Sequence, residues 1–185
     1  MIDYKTFKKG YLTEWVDRSQ AARKAAEELA MKDSTTLSDR YKEEGLVFFL
    51  DGHMVEFKGE NEKNLKNPKF NLLTYKEAME RFGKPDKDGW RLPTYEELYD
   101  LYHDYPFEFD EDGKQCIFDK RLYLPAAGYR GRDGYVHDVG GGSYWSSTPN
   151  VSEEAWYLYF NSGEVNMYSY HWSYDFSVRL VRDVK

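Results

Sequence analysis

The side chains best suited to binding chemistry are concentrated in one aromatic and polar segment near the C-terminus, Asn166–Asp175. Tyr, Trp, His and Asn combine apolar contact area with hydrogen-bonding groups, so their clustering favours recognition over packing. The candidate ligand-binding residues are Asn166, Tyr168, Tyr170, His171, Trp172 and Tyr174. Trp156, Tyr157 and Tyr159 would extend this surface, although alternation along a strand turns half of them inward. The competing interpretation is that these rings fill a loop-rich core.

Groups that could catalyse a reaction or hold a metal are scattered. The four histidines show no metal-ligand spacing, and the acidic turn 110–112 lacks the rest of a calcium-binding loop. Cys116 is the single cysteine, which favours a small core residue over a reactive thiol. His137 and Asp138 lie in the glycine-rich loop 131–142 and leave open an enzyme that uses this pair. Otherwise the pattern predicts no catalytic residue, no metal site and no cofactor.

The candidate segment lies between two β-rich runs that we interpret as scaffold, Ala155–Phe160 and Phe176–Val181. The turn residues 161–163 predict that Ala155–Phe160 pairs with a further strand, Glu164–Met167. A rigid scaffold of strands would then hold the aromatic residues at the surface, where binding residues are usually found.

Two capping boxes predict two helices in the middle of the chain. Thr74–Glu77 and Thr94–Glu97 each place a Thr three residues before a Glu, ahead of apolar residues. Gly83 predicts the end of the first helix. Between the helices, Trp90 and Leu92 are expected to enter the core.

The remaining strands are predicted from turn signals. An Asp-Gly turn predicts a hairpin over Gly45–Phe57, and a second turn joins Phe107–Asp110 to Cys116–Phe118. Leu122–Tyr129 is predicted as a buried strand interrupted by its proline. The polar stretch Lys58–Lys69 is expected to be a loop or linker.

The N-terminal part is predicted to be helical, with a long helix at Glu14–Lys32 and a short one at Leu37–Glu44. No signal peptide is visible before them, and no apolar run reaches the length of a membrane span. We therefore expect synthesis in the cytoplasm and no insertion into a membrane.

Composition limits the class of partner. The chain has 185 residues, which fit one domain or a domain with an appendage, and its formal net charge is −7. Because no basic stripe accompanies this acidity, we expect no nucleic-acid partner.

Six ordered motifs give the chain a family resemblance: a capped helix, G-W-R-L-P-T-Y-E-E-L, Y-L-P-A-A-G-Y-R, Y-W-S-S-T, A-W-Y-L-Y-F-N-S-G-E-V and F-S-V-R-L-V-R-D. Over about Leu72–Asp183 the chain resembles the Fibrobacter succinogenes major paralogous domain, which is related to DUF1566 and common in gut Bacteroidetes. The resemblance implies an α+β, C-type-lectin-like fold, with two helices packed on a small twisted mixed β-structure with long loops. Residues 61–185 would form this domain, and residues 1–60 would be a helix and hairpin extension, separate or integral to the fold.

A narrower resemblance is to the variable proteins of diversity-generating retroelements, which share that fold. Their changeable residues lie where this chain has Asn166–Asp175, and mutagenesis of AAY codons yields Asn, Tyr, Ser, His and Asp. Met167 and Trp172 fall outside this set and would be fixed scaffold. The same fold also hosts formylglycine-generating enzymes, which depend on reactive cysteines, and the single Cys116 argues against that chemistry.

The sequence therefore predicts a non-catalytic ligand-binding module that displays an aromatic and polar surface near its C-terminus. The partner would be a protein or a glycan on a cell surface, and the oligomeric state is left open. Such a module could be a retroelement-diversified or phage receptor-binding protein, located on a virion or a cell surface. The alternatives are the enzyme that uses His137 and Asp138, and a structural phage component assembled through Glu14–Lys32.

Overall fold

The computed structural model describes residues 46–67 and 70–184, and β-strands predominate in them. The strands are β1 (Leu46–Leu50), β2 (His53–Phe57), β3 (Leu73–Thr74), β4 (Phe107–Phe109), β5 (Gln115–Phe118), β6 (Leu122–Pro125), β7 (Tyr129–Arg130), β8 (Val136–His137), β9 (Gly142–Pro149), β10 (Glu154–Asn161), β11 (Glu164–His171), β12 (Asp175–Phe176) and β13 (Val181–Asp183). The helices are α1 (Tyr75–Phe82) and α2 (Tyr95–Asp104).

The predicted fold class, an α+β C-type-lectin-like fold, is wrong. The two helices are present, but the described chain is mostly β, in four small sheets whose named strand pairs are all antiparallel. The error has a physical origin, because capping boxes mark even short helices clearly. Strands of two or three residues leave no period in the sequence, and some of them, such as β3 and β12, form only when distant segments pair.

The longest strands form a three-stranded sheet in the order β11-β10-β9. Tyr157 lies opposite Tyr168 on one side and Trp145 on the other, and Tyr159 lies opposite Asn166. The predicted pairing of Ala155–Phe160 with Glu164–Met167 is confirmed, and the second strand continues to His171. The candidate segment is therefore partly strand rather than loop.

Two apolar clusters pack on opposite faces of this central sheet. Leu158 and Met167 belong to the first cluster, together with Leu101 of α2. Trp145 belongs to the second, where its ring stacks on Phe176 with centroids 4.1 Å apart. Because side chains alternate along a strand, each face of the sheet packs against one of the two clusters.

Both helices begin at the predicted capping boxes. The hydroxyls of Thr74 and Thr94 accept hydrogen bonds from the backbone N–H of Glu77 and Glu97, and each glutamate bonds back to its threonine N–H. α1 is followed by Gly83, as predicted. Local sequence therefore sets where each helix starts.

The N-terminal hairpin β1-β2 is also confirmed, and the C-terminal strand β13 extends it. Val181 lies opposite Phe57, and Asp183 lies opposite Val55. The other two sheets have the strand orders β3-β12-β7-β8 and β4-β5-β6. The predicted strand Leu122–Tyr129 is divided between β6 and β7, which lie in different sheets.

The last predicted strand, Phe176–Val181, differs in extent, because residues 177–180 lie between β12 and β13. These four residues are buried and bond to three separate segments. Ser177 N–H donates to Ser143, and the carbonyls of Val178 and Leu180 accept from residues 62 and 58. A buried irregular segment has the same apolar composition as a buried β-strand, so the sequence alone does not distinguish one from the other.

Several expectations concern residues outside the described ranges, including the helices Glu14–Lys32 and Leu37–Glu44. Within the described ranges, no helix combines the length and apolar character needed to cross a membrane.

Candidate functional site

Strand β11 turns its residues alternately outward and inward. Tyr168 and Tyr170 are 40% and 42% exposed, and Asn166 lies on the same face. Val165 and Met167 point to the opposite face and are buried in the first apolar cluster. One face of the strand therefore contributes to the core, and the other is available to a ligand.

A cavity of about 430 Å³ opens beside Tyr170. Its lining consists of Tyr129, Asp138, Ser143, Tyr157, Tyr159, Tyr170 and Phe176, and we call it the tyrosine pocket. Its volume is in the range typical of small-molecule sites, and five of its seven lining residues are aromatic.

The rings of the tyrosine pocket are arranged around Phe176, which is almost completely buried. The ring centroids of Tyr157, Tyr129 and Tyr170 lie 4.6, 6.1 and 6.5 Å from that of Phe176. Their planes make angles of 48°, 75° and 32° with the Phe176 ring. Because these angles differ, the rings do not form one flat stacking platform.

Of the described residues that line the pocket, only Asp138 carries a charge. Its Oδ2 accepts a hydrogen bond of 2.9 Å from the Tyr159 hydroxyl. Gly141 allows this carboxylate to approach, because a Cβ at that position would lie 2.6 Å from Asp138 Oδ2. The backbone of Asp138 has a φ of 52°, in the left-handed region that non-glycine residues seldom adopt.

Three tyrosines of the pocket have a raised pKa. Burial, followed by the neighbouring tyrosine hydroxyls, raises the pKa of Tyr157. Burial also raises the pKa of Tyr159, and the hydrogen bond with Tyr174 raises that of Tyr170. These three side chains therefore present neutral hydroxyls at physiological pH.

Comparison with known proteins assigns the family. The family model of the Lcl C-terminal domain matches residues 15–182, most of the chain. The chain belongs to the Lcl C-terminal domain family. This is a DUF1566-like family, so the broader part of the resemblance is confirmed, and the match begins well before Leu72. No curated protein and no solved structure matches the chain.

In this Lcl C-terminal domain, the turn after β11 carries two more candidate aromatic residues. Tyr174 packs against the pocket, with its ring 4.5 Å from Tyr170 and 5.9 Å from Tyr129. Trp172 is 37% exposed and stacks on Tyr75 with centroids 5.5 Å apart. Tyr174 thus supports the tyrosine pocket, whereas Trp172 is tied to α1.

The two polar candidates use their side chains locally. His171 Nδ1 accepts a hydrogen bond of 3.1 Å from the N–H of Ser173. Asn166 Oδ1 lies 2.8 Å from the N–H of Met167. Neither residue lines the tyrosine pocket, but both lie beside exposed rings of the same strand.

The alternative catalytic pair does not meet in one cavity. The ring of His137 stacks on Tyr129 at 5.5 Å, and its Nε2 lies 2.9 Å from Asp133 Oδ2. Asp138 lines the tyrosine pocket, whereas His137 is not among the described residues that do.

Among the described residues, one group has the chemistry of a metal site, namely His53, Glu97 and Asp183, whose ligand atoms lie within 4.8 Å of one another. Arg91 Nη2, however, lies 2.7 Å from Glu97 Oε1 and 2.5 Å from Asp183 Oδ1. A cation would have to displace this guanidinium, so the cluster is best described as an ion-pair network.

Two further residues with potentially nucleophilic side chains are structural. Cys116 is completely buried, and burial raises the pKa of its thiol to about 12. Ser146 is also buried, and its hydroxyl donates to the carbonyl of Trp156. The prediction that Cys116 is a core residue is confirmed.

Sequence reasoning missed Tyr129, Ser143 and Phe176 as pocket residues, because separate strands bring them together. One signal was present in the residue before Tyr129. Gly128 has a φ of 69°, and a Cβ there would lie 2.1 Å from the carbonyl oxygen of His137. A glycine at this position indicates the close approach of two backbones, which here form one wall of the pocket.

Proposed function

We propose that this domain is a non-catalytic ligand-binding module whose ligand enters the tyrosine pocket and contacts the exposed face of β11. The observation that supports it best is the aromatic pocket beside two exposed rings, Tyr168 and Tyr170. Concave aromatic sites with few polar groups are typical of ligand pockets. The ligand is a glycan or a protein on a cell surface, and phage receptor binding is one role that fits.

An enzyme that uses His137 and Asp138 is less well supported. General acid–base catalysis requires both groups within reach of one substrate. Here His137 pairs with Asp133, and only Asp138 lines the pocket.

Diversification by a retroelement is a second candidate, favoured by the alternation along β11. Tyr168 and Tyr170 face outward, while Met167, which would have to be fixed, is buried. Asp175 argues against a fully variable segment, because it is buried and ion-paired with Arg130. The hypothesis is therefore restricted to exposed positions.

The binding proposal is tested with Tyr170→Ala and Tyr129→Ala, which remove two walls of the tyrosine pocket. Tyr123→Ala is the matched control, because Tyr123 is 49% exposed and lies on β6, outside the pocket. On arrays of glycans and cell-surface proteins, we expect the parent and Tyr123→Ala to capture the same ligand and the pocket variants to lose it. Melting temperatures should stay close to that of the parent. Unchanged capture by both pocket variants would exclude this site.

The retroelement candidate is tested in the gene. We expect a near-identical template repeat near the gene, with AAY codons at the positions that correspond to Asn166, Tyr168 and Tyr170, and reverse transcriptase or phage tail genes in the neighbourhood. The absence of such a repeat would reject diversification and leave the binding proposal intact.

A further inference from the structure

The tyrosine pocket has the composition of a site for a compact organic cation. Aromatic ring faces carry partial negative charge and attract ammonium groups, and quaternary ammonium groups bind most readily where several rings surround them. Tyr129, Tyr157 and Tyr170 approach Phe176 at three different angles.

The charge distribution favours the same ligand. Asp138 lines the pocket, and no Lys, Arg or His is among its described lining residues. Two nearby basic groups have acidic partners: Arg130 is ion-paired with Asp175, and His137, which stacks on Tyr129, lies 2.9 Å from Asp133. Arg132 donates to the neutral Ser173 hydroxyl and keeps its charge. Outside the pocket, Glu164 accepts the Tyr168 hydroxyl at 2.6 Å and adds a second carboxylate near the same face. The electrostatic potential at the opening is therefore expected to be negative.

Arg132 limits what can be attached to the cation. Its guanidinium carbon lies 5.8 Å from the centroid of Tyr174, which packs against the rings of Tyr170 and Tyr129. A basic peptide carrying a methylated lysine would be repelled there. A short neutral or anionic substituent, such as the alcohol or phosphate ester of choline, would be accepted.

We propose that the tyrosine pocket binds a quaternary ammonium group of the choline type. This inference rests on the proposed function, because it names the chemical group that the same pocket would recognise. The trimethylammonium group would contact Tyr129, Tyr157 and Tyr170, and Asp138 would supply the counter-charge. A trimethylammonium group of this type occurs both in soluble choline esters and in lipid headgroups.

The first test separates charge from shape. Binding of choline and of its neutral isostere, 3,3-dimethyl-1-butanol, is measured by calorimetry or by chemical-shift changes in the full chain. We expect choline to bind at least about tenfold more tightly, because the isostere fills the same space without cation–π attraction. Equal affinities, or no choline binding, would overturn the proposal.

Variants then locate the site. Tyr170→Ala is expected to abolish choline binding, and Asp138→Asn to weaken it severalfold while leaving the isostere unaffected, because the amide can still accept from Tyr159. Tyr123→Ala should bind choline like the parent. Choline binding that survives both pocket variants would also reject the proposal.

Further experiments distinguish a soluble choline ester from a lipid headgroup, and the ammonium proposal from the proposed function. Phosphocholine in solution is compared with phosphatidylcholine vesicles, and retention on vesicles would assign a lipid source. A trimethyl-lysine peptide that bound more tightly than choline would reject a choline-type ligand. If the pocket variants lose array capture but choline does not bind, the ammonium proposal fails and the proposed function stands. If array capture survives the pocket variants, the proposed function fails as well.

Discussion

Two buried charges show how differently single residues are accommodated. Arg179 is 4% exposed and donates to the side chain of Asn61 and to the carbonyls of Lys58, Gly59 and Tyr123. Carbonyl oxygens thus take the place of a carboxylate partner.

Asp100 is the converse case, a carboxylate held in a partly buried position. Its Oδ2 accepts the N–H of Asp51 at the tip of the β1-β2 hairpin, 2.8 Å away. Burial raises the pKa of Asp100 to about 6 in spite of this bond. No local pattern reveals such a residue, because its burial requires a hairpin 49 residues away to dock on α2.

Asp100→Asn is expected to stabilise the protein at pH 7 but not at pH 4. Because the folded-state pKa is raised from 3.8 to about 6, the folded chain binds the extra proton between these values and loses stability as pH rises through them. Asparagine removes this penalty and can still accept from Asp51. We expect a gain of about 1 kcal/mol at pH 7, since partial exposure screens the full effect. Urea unfolding at both pH values measures it.

The exposed Asp112 at a hairpin tip provides the control, and Asp112→Asn should change the free energy of unfolding by less than about 0.5 kcal/mol at either pH. A loss of stability on Asp100→Asn at pH 7 would show that the carboxylate is favourable where it lies.

At the scale of elements, the sequence predicted structure wherever the signal was local. Both helix starts, the β1-β2 hairpin and the β10-β11 turn were correct, because capping and turn residues act over a few positions. β3 and β8, of two residues each, were missed as strands, and β7 and β12 were predicted only in part, because β12 pairs with two segments that are distant in sequence, β3 and β7. The tyrosine pocket could not be predicted for the same reason, because Tyr129 lies on β7 and Phe176 lies on β12.

The two capping-box glutamates are expected to differ strongly in their contribution to stability. Glu97 is completely buried and accepts hydrogen bonds of 2.7 and 2.9 Å from Arg91. Glu77 holds the equivalent position in α1, but its other partner is the exposed Lys66. Glu97→Gln should lower the free energy of unfolding by about 2–3 kcal/mol, because it weakens buried, charge-assisted bonds. Glu77→Gln should cost less than about 1 kcal/mol.

Chemical denaturation of the two variants measures both values, and each glutamine keeps the side-chain length of the capping box. Equal losses would mean that the capping bond, rather than the ion pair with Arg91, determines the contribution of Glu97.

Along strand β11, substitutions at inward-facing positions should lower the stability more than substitutions at outward-facing positions. Met167→Ala is expected to cost about 2–5 kcal/mol, because it leaves a cavity in the first apolar cluster. Tyr168→Ala should cost less than about 1 kcal/mol, since its ring is 40% exposed and contributes mainly cross-strand contacts. Thermal unfolding compares them. Similar losses at both positions would mean that the outward face of β11 is core, which would remove it as a binding surface.

At the scale of the whole described chain, the core is completed when the two ends of that chain pair with each other. β13 joins β2, so Val181, Arg182 and Asp183 lie opposite Phe57, Glu56 and Val55. Arg91 and Val181 also exchange two backbone hydrogen bonds of 2.9 Å. The sequence identifies each strand separately, but pairing across more than 120 residues is a property of the assembled core.

A chain shortened to end at Leu180 is therefore expected to lose much of its stability. The truncation removes Val181, which is completely buried and worth about 1.5–3 kcal/mol, and the hydrogen bonds of β13 to β2 and to Arg91. We expect the melting temperature to fall by at least about 10 °C. Ending the chain after Asp183 is the control and removes only one described hydrogen bond, from Val184 to Met54, so its melting temperature should fall by less than about 4 °C. Equal melting temperatures for the two truncations would show that β13 is not needed to close the core.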